Sequence, residues 1–207
     1  MSGLWQRGVL RTVRSPVPGP VVIKVGGSLF GRDDWPVLIE RLVAEETAPA
    51  VVVVGGGPLV DALRAIDAVV TQPPALMHRL AIDAMGLTAR LVAATTGWSL
   101  AAEVAGGLRP AATVLDVPAW LARAGRMEPL PASWHVTSDS IAALVATACG
   151  GRLLLAKSVP PPRAEADLAA LAACGWVDAH FPTAAEALDA VGWAVPRHPP
   201  LTTRSSG

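Results

Sequence analysis

The sequence predicts an α/β fold, a three-layer αβα sandwich with a mainly parallel central sheet. Three observations carry this expectation. Short β-branched runs recur along the 207 residues, the first two run directly into glycines, and Ala/Leu-rich stretches with apolar residues at three- and four-residue steps lie between them. A strand buried on both faces reads as a continuous apolar run, because neither side of its pleat meets water. Such strands alternating with helical periods give a doubly wound parallel sheet.

Taken in order, residues 1–20 carry several arginines and a Ser-Pro-Val-Pro-Gly-Pro stretch but no apolar segment. They are expected to form a flexible arm and not an export signal. Val21–Val25 is the first strand and Val51–Val54 the second, Ala112–Leu115 is a weaker third, and Leu153–Ala156 is a fourth. Helical periods cover Trp35–Glu45 and Leu59–Val70, then Ile141–Cys149, which is apolar nearly all round, and finally Leu168–Cys174 and Ala184–Val191. Pro160, Pro161 and Pro162 cannot lie inside a helix, and residues 198–207 have tail composition. One domain over residues 21–197 is expected, with no internal repeat.

Composition narrows the function classes. Formal net charge is zero and only 16% of residues are charged, which argues against nucleic acid or an anionic membrane as partner. Hydrophobic residues make up 52% of the chain, yet Gly, Arg or Pro breaks every apolar run before the roughly 18 residues a membrane span needs. Cys149 and Cys174 form neither a CxxC motif nor a disulfide framework, which suits a reducing, cytoplasmic setting. The histidines at 78, 135, 180 and 198 show no ligand spacing, so no dedicated metal site is expected. So hydrophobic a chain is also expected to self-associate as a homo-oligomer.

Among 17 basic residues only Lys24 and Lys157 are lysines, so this composition supplies positive charge as arginine wherever either would serve. Each lysine ends an apolar run, Lys24 in "VVIKVGG" and Lys157 in "LLLAKSV". A parallel strand delivers its last side chains to the carboxyl edge of the sheet, where open α/β folds bind ligands. A compact ammonium there can follow a phosphoryl oxygen as it moves; the plain alternative is a pair of lysines snorkelling into water. Gly26-Gly27-Ser28 follows the first lysine, and Gly55-Gly56-Gly57-Pro58 follows the second strand. Neither loop is a Walker A or a dinucleotide fingerprint. Glycines between a strand and a helix can instead bring bare N–H groups and a helix dipole to an anion, or simply make tight turns. Asp139 stands in "TSDSIAA", where a Thr137 or Ser138 cap would place it in a helix first turn.

Together "VVIKVGGSLF", "VVVVGGGPLVDALR" and "TSDSIAALVATACGGRLLLAKSV" resemble the amino acid kinase superfamily, which includes acetylglutamate, uridylate, isopentenyl phosphate and carbamate kinases. The resemblance spans about residues 20 to 192. The "SWHVTSDSIAA" block, "LLLAKSV", the "HRLAIDAM" helix and the short length look most like the small archaeal-type branch that phosphorylates aminomethylfuranmethanol phosphate on the route to methanofuran. The resemblance implies an amino acid kinase fold, ATP with Mg²⁺, and a small phosphorylated substrate. It implies that Lys24, Asp139 and Lys157 are catalytic, with Asp139 organising the two lysines. Gly26, Gly27 and Ser28 would bind nucleotide phosphates, while Gly55, Gly56 and Gly57 would hold the acceptor side. Arg163 is a candidate for nucleotide phosphate, and Arg64 and His78 for acceptor phosphate, against ordinary surface or core roles. Trp134 could stack on a furan ring, and Thr137 and Ser138 are counted with the acceptor-binding set. The chain departs from the family at "SVPPPRAEAD", where members usually have a Gly-containing turn that shapes the adenine pocket. Two alternatives therefore stay open: a non-catalytic nucleotide- or oxyanion-binding subunit, and a kinase for another acceptor such as isopentenyl phosphate or UMP.

Overall fold

The computed structural model describes residues 3–12, 19–104, 112–123, 126, 130–163 and 167–197. Its strands are β1 (Trp5–Thr12), β2 (Val21–Val25), β3 (Ala50–Val54), β4 (Ser99–Ala101), β5 (Thr113–Leu115), β6 (Arg152–Ala156) and β7 (Ala190–Pro196). Its helices are α1 (Trp35–Ala44), α2 (Pro58–Val69), α3 (Pro74–Thr96), α4 (Val117–Leu121), α5 (Ser138–Ala148), α6 (Leu168–Ala173) and α7 (Phe181–Ala184). The strands form one sheet in the order β1-β7-β6-β2-β3-β5-β4, and every neighbouring pair is parallel except β1 with β7. This is the α/β sandwich that the apolar runs predict.

β2 lies at the centre, paired along its whole length with β3 on one side and β6 on the other, and all five of its residues are buried. Valine and isoleucine fill β2 and β3, and leucine fills β6, because apolar side chains pack well on a pleat with no wet face. Successive side chains go to opposite layers. Val22, Val51 and Val53 join a core with Ile141 and Val145 of α5, whereas Val21, Ile23 and Val25 join one with Leu38, Ile39 and Leu42 of α1. Lys24, two residues from Val22, falls by the same alternation on the α5 side. The 23-residue α3 bridges both layers, with Ile82 and Met85 in the first core and Ala89 and Val92 in the second.

Two expectations are corrected. The segment read as a loose arm contains β1, an edge strand whose Trp5 is buried and donates its indole N–H to the Leu38 carbonyl. It was illegible as a strand because an edge strand with a single partner needs no continuous apolar run. The Ala184–Val191 helical period is likewise overridden: α7 ends at Ala184, and β7 follows with Val191, Trp193 and Val195 buried at a two-residue period. Residues 185–187 form a turn, and from Ala190 pairing with β1 and β6 outweighs the local helix preference of the alanines, since propensity yields to tertiary context. β4 is three residues long and mostly exposed, so it carries no pattern to read. Residues 198–207 lie outside the described residues. Among the described residues no helix is long and apolar enough to cross a membrane.

Candidate active site at the carboxyl edge of the sheet

Adjacent parallel strands bring the two lysines together. Lys24 is the fourth residue of β2 and pairs with Leu155 of β6, and Lys157 follows the end of β6. Asp139, in the first turn of α5, lies between them. Lys24 Nζ is 2.9 Å from Asp139 Oδ1 and Lys157 Nζ is 2.8 Å from Oδ2, so each carboxylate oxygen takes one ammonium group. Lys24 is 5% exposed and Asp139 4% exposed. Burial pushes the Asp139 carboxyl up, but the two lysine charges outweigh it and hold the group below its ordinary value. Lys157 is pushed down to about 8, by burial first and by the neighbouring Lys24 charge second, against the pull of Asp139. Two cations share the one Asp139 carboxylate in this nearly dry cluster, and the Asp178 carboxylate lies close enough to help hold the Lys157 charge.

A brace that carries no recognisable motif holds the cluster. The Trp176 carbonyl accepts from Lys157 Nζ at 2.6 Å, and the Trp176 ring lies 5.0 Å from the same ammonium. Two residues on, Asp178 grips the start of α5. Its Oδ2 accepts from the Thr137 N–H (3.0 Å), the Thr137 hydroxyl (2.9 Å) and the Ser140 N–H (3.0 Å), and its Oδ1 from the Ser140 hydroxyl (2.5 Å). The first turn of a helix leaves N–H groups without intrahelical partners, and here a carboxylate from outside the helix satisfies one of them. Thr137 is the cap residue, its hydroxyl oxygen accepting from the Asp139 N–H at 3.5 Å. Asp139 is thus both a first-turn aspartate and the bridge between the lysines.

The two glycine loops form one surface. A side chain on Gly27 would meet Gly57 Cα at 2.3 Å, so Gly27 must be bare for the two backbones to touch. Gly57 also has φ +55° and ψ −140°, a conformation that favours glycine. Pro58 then opens α2 at its first position, where its missing N–H costs nothing. The N–H groups of Gly56 and Gly57 make no hydrogen bond among the described residues. The first loop differs from expectation: Gly27–Gly31 is a single 3₁₀ turn, too short to supply a helix dipole. Gly26 does not face a cavity; its N–H is held by the Ala156 carbonyl at 2.8 Å.

Two cavities lie near the cluster; Lys157 lines the second, while Lys24 and Asp139 line neither. The first, about 250 Å³, is lined by Gly27, Ser28, Gly55, Gly56, Gly57, Arg64, His78, Trp134, Thr137 and Ser138, with Val60, Ile82 and Met85 among its apolar walls. Every residue assigned from sequence to the acceptor side is among them. The second, about 490 Å³, is lined by Ser28, Lys157, Ser158, Pro160, Pro162, Cys174 and Trp176. Ser28 belongs to both and sits 3.0 Å from the Ser158 hydroxyl. Arg163 is exposed and lines neither cavity. Arg64 pairs with Asp61 at 3.0 Å and lies over the Trp134 ring at 5.2 Å, while Trp134 Nε1 donates to Asp67 Oδ2 at 2.8 Å. Trp5, Trp120 and Trp193 are buried packing residues.

No family model and no curated protein sequence matches the chain. Among solved structures it is similar to uridylate kinase from Archaeoglobus fulgidus, with a TM-score of 0.53 and 20% identity over 83% of this chain and 89% of that one. The likeness shows the fold, an amino acid kinase-like αβα sandwich.

Proposed function

We propose that this chain is a kinase that uses ATP and Mg²⁺ to phosphorylate a small phosphate monoester. The observation that carries the proposal is the buried Lys24–Asp139–Lys157 cluster set near two cavities on the carboxyl edge of the sheet. A phosphoryl group in flight spreads negative charge over its equatorial oxygens, so catalysis by positioned cations needs little else. An acceptor oxygen in the first cavity attacks the γ-phosphorus, the bond to the β–γ bridging oxygen breaks, and ADP leaves with that electron pair. A phosphate monoester has its second pKa near ~6 and is already a nucleophile at neutral pH, so no general base is required.

The residues present fit a nucleotide on the second side: Lys157 supplies charge there, and the cavity is the larger of the two. Mg²⁺ carried by the nucleotide phosphates would neutralise charge on the transferring group. On the first side, the Gly56 and Gly57 N–H groups and the Ser138 hydroxyl are suited to the acceptor phosphate, whereas Thr137, expected in the same set, gives its one hydroxyl proton to Asp178. The first cavity is below the usual ~300–1,000 Å³ of ligand sites and has apolar walls and Trp134. That favours a compact acceptor with a flat ring, such as aminomethylfuranmethanol phosphate, over a nucleoside monophosphate.

The test is ADP formation with Mg²⁺ and a panel of aminomethylfuranmethanol phosphate, isopentenyl phosphate and UMP, for the wild type and Lys24→Ala. Turnover on one acceptor that disappears in the variant supports the proposal and names the substrate. Nucleotide binding by calorimetry without turnover on any acceptor would leave a binding subunit instead, with Pro160 and Pro162 in the second cavity as the reason.

A further inference from the structure

We infer that His78 reads the far end of the acceptor, and that the acceptor carries a hydrogen-bond donor there, an ammonium or a hydroxyl group. The inference rests on the phosphate-acceptor reading above and adds the chemistry of the rest of the substrate. His78 lies near the start of α3, is 3% exposed and lines the first cavity. Its Nδ1 is 3.2 Å from the Ser133 carbonyl oxygen. A carbonyl only accepts, so Nδ1 carries a proton, and in a neutral imidazole Nε2 is then left with the lone pair. Burial favours that neutral form.

Nε2 is buried and has no partner among the described residues. The cavity residues one turn further along the helix are Ala81 and Ile82, which offer no polar atom to it. The nearby Trp134 indole N–H is already given to Asp67. A buried acceptor without a donor is unfavourable and calls for an explanation, and a ligand donor in the cavity supplies one. The same lone pair argues against the expectation that His78 touches the acceptor phosphate, since it would face oxyanions, for which bare N–H groups stand in the same cavity at Gly56 and Gly57. A prenyl-type phosphate, a hydrocarbon beyond its phosphate, would leave Nε2 unpaired.

The experiment uses two isosteric probes, 3-(aminomethyl)benzyl phosphate and 3-ethylbenzyl phosphate, titrated by calorimetry into the full chain and into His78→Phe and His78→Gln. The aminomethyl probe should bind the wild type about tenfold tighter or more. That preference should vanish in His78→Phe and survive in part in His78→Gln, whose amide oxygen can still accept. Nitrogen NMR of the wild type, which needs no variant to fold, should show Nε2 without a proton and Nδ1 with one. Equal affinity for the two probes, a preference that persists in His78→Phe, or a protonated Nε2 overturns the inference alone. If neither probe binds, the phosphate-acceptor reading falls first and this inference falls with it.

Discussion

The two cavities share one sheet edge and one buried charge cluster, yet they are built differently. The first is walled by the triple-glycine loop, α2, α3 and the start of α5, and is lined by glycines, hydroxyl residues, the Asp61–Arg64 pair, an imidazole and an indole over apolar walls. The second is walled by the proline loop and the turn after α6, and among the described residues its ionisable side chains are Lys157 and Cys174. Directional hydrogen bonds discriminate among ligands, whereas a point charge mainly attracts them. On the proposed function, this contrast assigns selectivity to the first cavity and phosphate attraction to the cluster.

Substituting the shared cluster should abolish the contrast. Asp139→Ala leaves two ammonium groups buried without their carboxylate. It should eliminate turnover and cost about 3–5 kcal/mol of stability, measured by denaturant unfolding. Removing one lysine sharpens the comparison. Lys24→Ala and Lys157→Ala should each lose about 3 kcal/mol of transition-state stabilisation, roughly a hundredfold in kcat. Only Lys157→Ala should also raise the KM for ATP markedly, because Lys157 alone of the pair lines the second cavity. An equal KM effect on both substrates would dissolve the distinction.

Smaller effects probe each side. Asp178→Ala unfastens the start of α5 and should cost about 1–3 kcal/mol of stability, with kcat falling because Asp139 loses its fixed position. The alkaline pH limb reports the second cavity. Lys157 acts as a cation, and with its pKa near 8 instead of 10.5 its charged fraction falls as pH rises through about 8. Turnover should therefore decline above that pH, and Lys157→Arg should move the decline upward at a lower overall rate. A rate that stays flat to pH 10 would show that this lysine is not the charge in use. Least affected should be Arg64→Ala. Its exposed pair with Asp61 is worth at most about 1 kcal/mol, so a few-fold rise in acceptor KM with no change for ATP is expected.

Sequence alone determined the parts that are local. β2, β3, β5 and β6 announce themselves as short apolar runs, the two lysines stand out against fifteen arginines, and the positive-φ Gly57 is one of three adjacent glycines. Thr137 and Asp139 fall within a single helix start, where cap and first-turn chemistry can be read from neighbouring residues. Only the tertiary structure decided the rest, because it depends on pairings the chain makes at a distance. β1 and β7 come from opposite ends of the described chain and stabilise each other at the sheet edge. Asp178 lies 38 to 41 residues from the groups it holds and belongs to no motif, so nothing short of the fold could connect it to the cluster. The proton position on His78 likewise depends on a carbonyl 55 residues away. Residue type and spacing bring charge to the sheet edge, but the hydrogen bonds that aim that charge are long-range contacts, and those exist only once the layers have packed.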